Sequence, residues 1–292
     1  MTPAAAALTP KAITARSGSS FLSGFLCLDR RRRAGMTAIY AFCRVADDAV
    51  DDAPTAADGR AQLEFWRGEL DAAERGAPRT PVGRALQAVF AEFGARAAPP
   101  LRELLAGMAM DLECARYADL AALEVYCHRV ASAVGLACLP VLGVEGALAE
   151  RFAERLGRAL QLTNILRDLR ADAELGRVYV PDDWLQDCGV EVGWLRGSGP
   201  AAVYAAGGSV GRLCARLSAI ARERFAEASA SLLELPAAAR RRLLPARIMG
   251  VVYRDLLRRL EARGGALGGA RVRVPRARKL WLAAATMIGA HW

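Results

Sequence analysis

Only two histidines, His128 and His291, occur in the 292 residues. A histidine-rich metal centre is therefore arithmetically excluded, and any bound metal must be held by carboxylates, which favours a hard ion such as Mg2+. Cysteine is scarce and odd in number: Cys27, Cys43, Cys114, Cys127, Cys138, Cys188 and Cys214. No two form a CxxC pair and most fall within apolar helical patterns, as reduced buried thiols do, rather than disulfides or zinc ligands. Alternating runs of β-branched residues are nearly absent, which removes sheet folds. The longest uncharged apolar stretches, residues 131–144 and 280–290, are shorter than the roughly 20 residues a bilayer crossing needs. Residues 1–20 lack the continuous apolar run of a secretory signal, so a cytoplasmic location is expected. No glycine-rich strand-turn-helix fingerprint for a dinucleotide is present.

What remains is a globular composition, 53% hydrophobic and 24% charged, with a formal charge of +9. Lys11 and Lys279 are the only lysines, so arginine supplies nearly all of the 40 cations. A G+C-rich composition explains this as well as selection for phosphate binding, which the planar guanidinium suits. Residues 236–292 hold 13 basic side chains against Asp255 and Glu261. The basic character thus belongs to the C-terminal fifth.

Apolar residues recur at spacings of three and four almost throughout, which predicts an all-α protein. Glycine and proline breaks near residues 54–59, 76–81, 99–100, 143–146, 189–200, 207–208, 236 and 264–269 leave helices of ordinary length. Residues 177–180 and 271–274 look briefly extended. No break has the composition of an interdomain linker, so one domain is expected.

Two stretches carry chemistry. The first, Tyr40-Ala-Phe-Cys-Arg44-Val-Ala-Asp47-Asp48-Ala-Val-Asp51-Asp52, closes a helix, and on a helical projection Arg44, Asp47 and Asp51 fall within about 60° of one another. Four carboxylates at a helix C-terminus oppose the macrodipole and one another, so a cation is needed to offset them. A solvated acidic helix end would explain this segment alone. In the second stretch, Gln161, Asn164, Asp168 and Asp172 are spaced 3, 4 and 4. They form one polar stripe on an otherwise apolar helix, costly to bury unless it faces a polar cavity or ligand. Two carboxylate pairs facing across a helical cavity would hold several Mg2+ ions once an anion such as diphosphate completes their coordination. A third segment sets Tyr126 above the small residues Val130, Ala133, Val134 and Ala137, with Gly135 nearby, as a wall for a chain-like ligand. Close helix packing is the competing explanation. Together these features imply ionisation of an allylic diphosphate inside dry walls.

These blocks resemble the squalene and phytoene synthase family, the head-to-head trans-isoprenyl diphosphate synthases. The matching parts run from Ser17 to about Leu282 in the family's order: Ser17-Gly-Ser-Ser-Phe21, residues 40–52, residues 126–135, residues 156–172 with Gly176-Arg-Val-Tyr-Val-Pro181, and Val252-Tyr253 followed by Arg271. The resemblance implies a single isoprenoid-synthase-type helical bundle around a central apolar cavity, over residues 17–282. It would be flanked by a flexible segment 1–16 and an apolar tail 283–292. It implies Asp47, Asp51, Asp168 and Asp172 as Mg2+ ligands, and Ser20, Arg44, Arg167, Tyr253 and Arg271 as diphosphate contacts. Gln161 and Asn164 would lie near the reacting carbons and metal, Tyr126 would be the proton-transfer phenol, Phe21 would be part of the wall, and Tyr179 the lid. Arg170 departs from many relatives but projects away from the stripe.

Within the family, the Gly-Ser-Ser-Phe block, the Leu-Gly-Arg-Ala-Leu-Gln-Leu-Thr-Asn-Ile-Leu-Arg-Asp-Leu block and the Val-Pro-Arg-Ala-Arg-Lys-Leu-Trp-Leu ending look most like bacterial presqualene diphosphate synthases of hopanoid synthesis. The implied reaction joins two farnesyl diphosphates to presqualene diphosphate, without NADPH, and leaves reduction to downstream isoprenoid-pathway enzymes. Phytoene from geranylgeranyl diphosphate, or squalene directly, are the near alternatives. A non-catalytic basic helical protein that binds membrane is the distant one. No nucleic-acid partner is expected. The basic C-terminus makes peripheral attachment to an anionic membrane surface an expectation, set against a terminal helix docked on its own core.

Overall fold

The computed structural model describes residues 8–17, 25, 27–113 and 116–289. Among them there are helices and turns but no strand. In chain order the helices are α1 (Pro10–Ser17), α2 (Arg30–Asp51), α3 (Ala56–Glu74), α4 (Pro81–Phe93), α5 (Ala98–Leu112), α6 (Leu120–Cys127), α7 (Ala133–Leu142), α8 (Ala147–Glu174), α9 (Asp182–Cys188), α10 (Val192–Leu195), α11 (Ser209–Glu234), α12 (Ala237–Arg242), α13 (Leu244–Arg263) and α14 (Arg276–Met287). A π-helical turn, His128–Ser132, joins α6 to α7.

Local chemistry sets the starts and stops. Asp29, Thr55, Thr80 and Asp119 each accept a hydrogen bond from the backbone N–H three residues on, capping α2, α3, α4 and α6. Gly143 and Gly189 take left-handed φ values of 69° and 62° and end α7 and α9, where a side chain would be strained. At the α3–α4 corner the buried Glu69 accepts from the Thr80 N–H at 2.8 Å, the Thr80 hydroxyl at 2.7 Å and the Arg79 N–H at 3.2 Å.

The 28-residue α8 is about 42 Å long, and its main partner is α11, with the π-turn, α7 and α13 also against it. Helix α2 packs on α3, α4, α5 and α7. The apolar side chains buried between these helices form one contiguous core.

Two sequence expectations change, and that for the C-terminal tail is refined. Residues 10–16 are not a flexible leader: α1 packs on α2 with Ile13 and Thr14 buried. Its amphipathic pattern is weak, so only the tertiary contact reveals it. The expected tail from residue 283 is helical through Met287, with Ala285 and Thr286 buried. Finally, Leu120–Leu142 is long and apolar enough by composition to cross a bilayer, because one continuous rod spans the two charged positions that interrupt it. That rod packs against α5 and α8 inside the bundle.

Candidate functional site

At the centre of the bundle lies a cavity of about 930 Å3, walled by α2, α5, the α6–α7 rod, α8, α13 and residues 271–274. Asp47 and Asp51 from α2, and Gln161, Asn164, Asp168 and Asp172 from α8, all line it. The two stripes read from helical spacing therefore face one space. Asp48 turns to the side and pairs with Arg44. Arg170 is exposed and bonds Glu174, clear of the cavity. Apolar side chains such as Leu104, Met108, Leu139, Phe152 and Leu156 form the deeper wall.

Arginines fold onto the carboxylates. Arg44 reaches Asp47 at 2.8 Å. Arg167 is bonded to Asp168, its neighbour, and Arg271 arrives from 103 residues away to donate to the same carboxylate at 2.7 Å. Tyr253 stands beside Arg167. Arg177 donates to Asp51 at 2.7 Å and so ties the segment after α8 to the end of α2.

Three of these carboxylates, Asp47, Asp168 and Asp172, titrate differently. Burial, then the charge of Asp51, pushes Asp47 up to about 6 despite Arg44. Burial, then Asp168, pushes Asp172 up to about 7. Asp168 is also penalised by burial, yet the hydrogen bonds from Arg167 and Arg271 hold it below the usual carboxylate range. Burial is thus the leading cause at Asp47 and Asp172, and the neighbouring arginines do not offset it there.

The donor set is all oxygen, which suits a hard divalent cation. Among the described residues no three candidate ligands cluster closely enough to cage an ion unaided. A cation that takes one or two carboxylates and completes its shell on phosphate oxygens fits this arrangement. One further observation favours it: Asn164 donates to Gln161 at 3.3 Å, but its own Oδ1 is buried without a hydrogen-bond partner. Such an acceptor is costly unless a ligand, water or cation meets it.

Beside the carboxylates stands a polar cluster whose centre, Asp111, the sequence reading missed. Asp111, buried at the end of α5, accepts from Tyr126 at 3.2 Å and from Tyr179 at 2.7 Å. The Tyr126 and Tyr179 rings stack with centroids 4.9 Å apart, and Tyr117 packs on Tyr126 at 5.6 Å. Burial, then the charge of Asp111, raises the Tyr126 phenol well above its ordinary value, so it stays protonated and donates. Burial likewise raises Asp111, although Tyr179 opposes the shift. Tyr179 was expected as a lid; here it is fastened to the wall by Asp111 and by ring stacking. An isolated Asp closing an apolar helix is the signal that could have revealed Asp111, and the Arg in Gly176-Arg-Val-Tyr the one for Arg177.

The expected wall is only partly right. Val130 and Val134 line the cavity, but Ala133 and Ala137 are fully buried in helix packing instead. Ala131, Gly135 and Cys138 take their place. The π-turn at His128–Ser132 adds one residue to a turn and shifts the register that follows, so Val134 stays on the wall as expected while Cys138 faces the cavity in place of Ala137. Ser20 and Phe21 lie outside the described residues. All the other expected site residues, namely Arg44, Asp47, Asp51, Tyr126, Gln161, Asn164, Arg167, Asp168, Asp172, Tyr179, Tyr253 and Arg271, meet at this cavity.

The squalene/phytoene synthase family model matches residues 14–278. The chain is 37% identical over 264 residues to a presqualene diphosphate synthase of Rhodopseudomonas palustris, covering 90% of this chain and 91% of that one. It is 41% identical to a phytoene synthase of Cereibacter sphaeroides, but over 61% of this chain and 52% of the other. A crystal structure of a dehydrosqualene synthase in complex with ligand superposes with a TM-score of 0.81 at 27% identity, covering 96% of this chain and 94% of that one.

Proposed function

The chain belongs to the squalene/phytoene synthase family, and from that premise we propose that it joins two farnesyl diphosphates head to head, releasing diphosphate and forming presqualene diphosphate. The observation that carries this reading is the convergence of Asp47, Asp51, Asp168 and Asp172 from two helices on one large cavity whose deeper wall is apolar. The assignment of product over others rests on the relatives named presqualene diphosphate synthase, which match over 83% or more of both chains, whereas the phytoene synthase of Cereibacter sphaeroides matches over 61% of this chain and 52% of its own.

Mg2+ bound with the substrate would supply electrophilic stabilisation of the departing diphosphate, held by Asp47, Asp51, Asp168 and Asp172 with Asn164 Oδ1 nearby. The chain's own groups do the rest. Arg44, Arg167 and Arg271, now folded on the carboxylates, turn to the phosphate oxygens, a bidentate match that guanidinium makes well. The apolar wall excludes water from the allylic cation, which hydrolysis would otherwise consume. Tyr126 presents a neutral phenol held by Asp111 at the cavity wall. It can relay the proton lost on ring closure to the Asp111 carboxylate or to the released diphosphate. On this reading NADPH is not expected to take part.

The deciding experiment incubates purified protein and Mg2+ with labelled farnesyl or geranylgeranyl diphosphate, with and without NADPH, and identifies the product. Presqualene diphosphate accumulating in both conditions is the expected result. Squalene appearing with NADPH, or phytoene from the longer substrate, would replace it.

A further inference from the structure

Helix α14 is fastened to the bundle by one face only. Leu282, Ala285 and Thr286 are buried, and Arg278 donates to the buried Asp255 of α13 at 3.0 Å. On the opposite face, Leu280 is 64% exposed, Trp281 51%, Met287 58% and, just past the last turn, Ile288 82%. The spacing 280, 281, 284, 287, 288 is one continuous stripe of a helix. Of the seven large hydrophobic side chains exposed among the described residues, four belong to this stripe. The Arg278 guanidinium lies 4.4 Å from the Trp281 ring centroid and holds it in place.

The fringe of this stripe is cationic. Arg273 and Arg276 form no ion pair among the described residues, and both crowd Lys279, whose pKa burial and these two charges lower. Residues 236–292 contain 13 cations and two carboxylates. A second copy of this chain seated on the same face would set cation against cation, which opposes association. A surface of opposite sign that also accepts apolar side chains meets both features.

We propose that the outer face of α14 docks the protein on an anionic lipid bilayer, with Leu280, Trp281, Met287 and Ile288 entering the headgroup boundary and Arg273 and Arg276 resting on lipid phosphates. Residues 271–274 and Lys279 line the cavity, so docking brings this side of the cavity to the lipid surface. Docking itself does not depend on the reaction proposed above. Its use, delivery of a chain too apolar for water, rests on that reading.

The test is flotation of the full chain with phosphatidylcholine vesicles, with and without phosphatidylglycerol, at low and high salt. The wild-type protein is expected to float with phosphatidylglycerol vesicles, to stay below with phosphatidylcholine alone, and to be released by salt. A Leu280→Ser/Met287→Ser/Ile288→Ser variant is expected to partition roughly tenfold or more weakly. Arg276→Gln is expected to weaken the salt dependence. Both variants should keep the wild-type Tm and helical content, since every altered side chain is exposed. Failure of the wild type to float on anionic vesicles at low salt overturns the proposal, as does unchanged flotation of the triple variant. So does a wild-type dimer, without lipid binding, that the triple variant converts to monomer. Turnover with soluble substrate is read separately, so loss of flotation and loss of the condensation reaction are distinguishable.

Discussion

Adding one methyl group at Gly157 tests how the cavity wall is held. Gly157 sits on α8 one turn before Gln161, where the π-turn crosses. A Cβ there would lie 2.4 Å from the Ser132 Cα and 2.5 Å from its backbone N. These are backbone atoms of the fully buried Ser132, whose hydroxyl already donates to the Glu154 carbonyl at 2.7 Å, so no side chain can yield. Ordinary contact requires the π-turn to retreat by about 1 Å, and overpacking of this kind costs roughly 1–3 kcal/mol. For a chain of this size that is a fall in Tm on the order of 2–10 °C. The same displacement moves Val130 and Ala131 relative to Gln161 and Asn164. Misplacement of about 1 Å at a reacting site can cost about 100-fold in turnover.

The control is Gly68→Ala on α3, where a Cβ meets nothing within 4 Å. There the change removes unfolded-state freedom and should stabilise by about 0.4–1 kcal/mol. Thermal melts and turnover of Gly157→Ala and Gly68→Ala side by side decide the matter. If Gly157→Ala keeps its Tm to within about 1 °C and its turnover to within about twofold, the π-turn is not held as described.

Asp47→Ala and Asp168→Ala are each expected to reduce turnover by about 100-fold or more while circular dichroism stays helical; near-normal product formation by both would remove the metal assignment. Asp172, raised to about 7, binds its proton more tightly folded than unfolded, so its contribution to stability is lost as pH rises from the ordinary aspartate range through about 7. Asp172→Asn should therefore shrink the drop in Tm between about pH 5 and about pH 8 relative to wild type, and an unchanged drop refutes that origin. In wild type, Mg2+ with inorganic diphosphate should raise Tm more at the alkaline end, a differential measurable by the same melts. Glu69→Gln leaves one acceptor for the several donors of Thr80 and Arg79 and should cost about 2 kcal/mol in urea unfolding.

Short-range physics made much of this protein legible from its residues in order. Spacing of three and four marks the helices, Gly143 and Gly189 mark two of their ends, and the 3, 4, 4 spacing of Gln161, Asn164, Asp168 and Asp172 places all four on one stripe, as found. These properties depend on neighbours within one or two turns. Tertiary structure alone decided the rest. The π-turn that brings Cys138 rather than Ala137 to the wall packs closely on Gly107 on one side and Gly157 on the other, and leaves no mark in the local pattern. Asp111 gains its role from Tyr126 and Tyr179, 15 and 68 residues away, and Arg271 from a carboxylate 103 residues away. Helix α14 has apolar residues on two faces, and nothing in its own sequence says which one the bundle buries. That choice is made by the shape of α13 and the position of Asp255, because burial is a property of the assembled surface rather than of the segment.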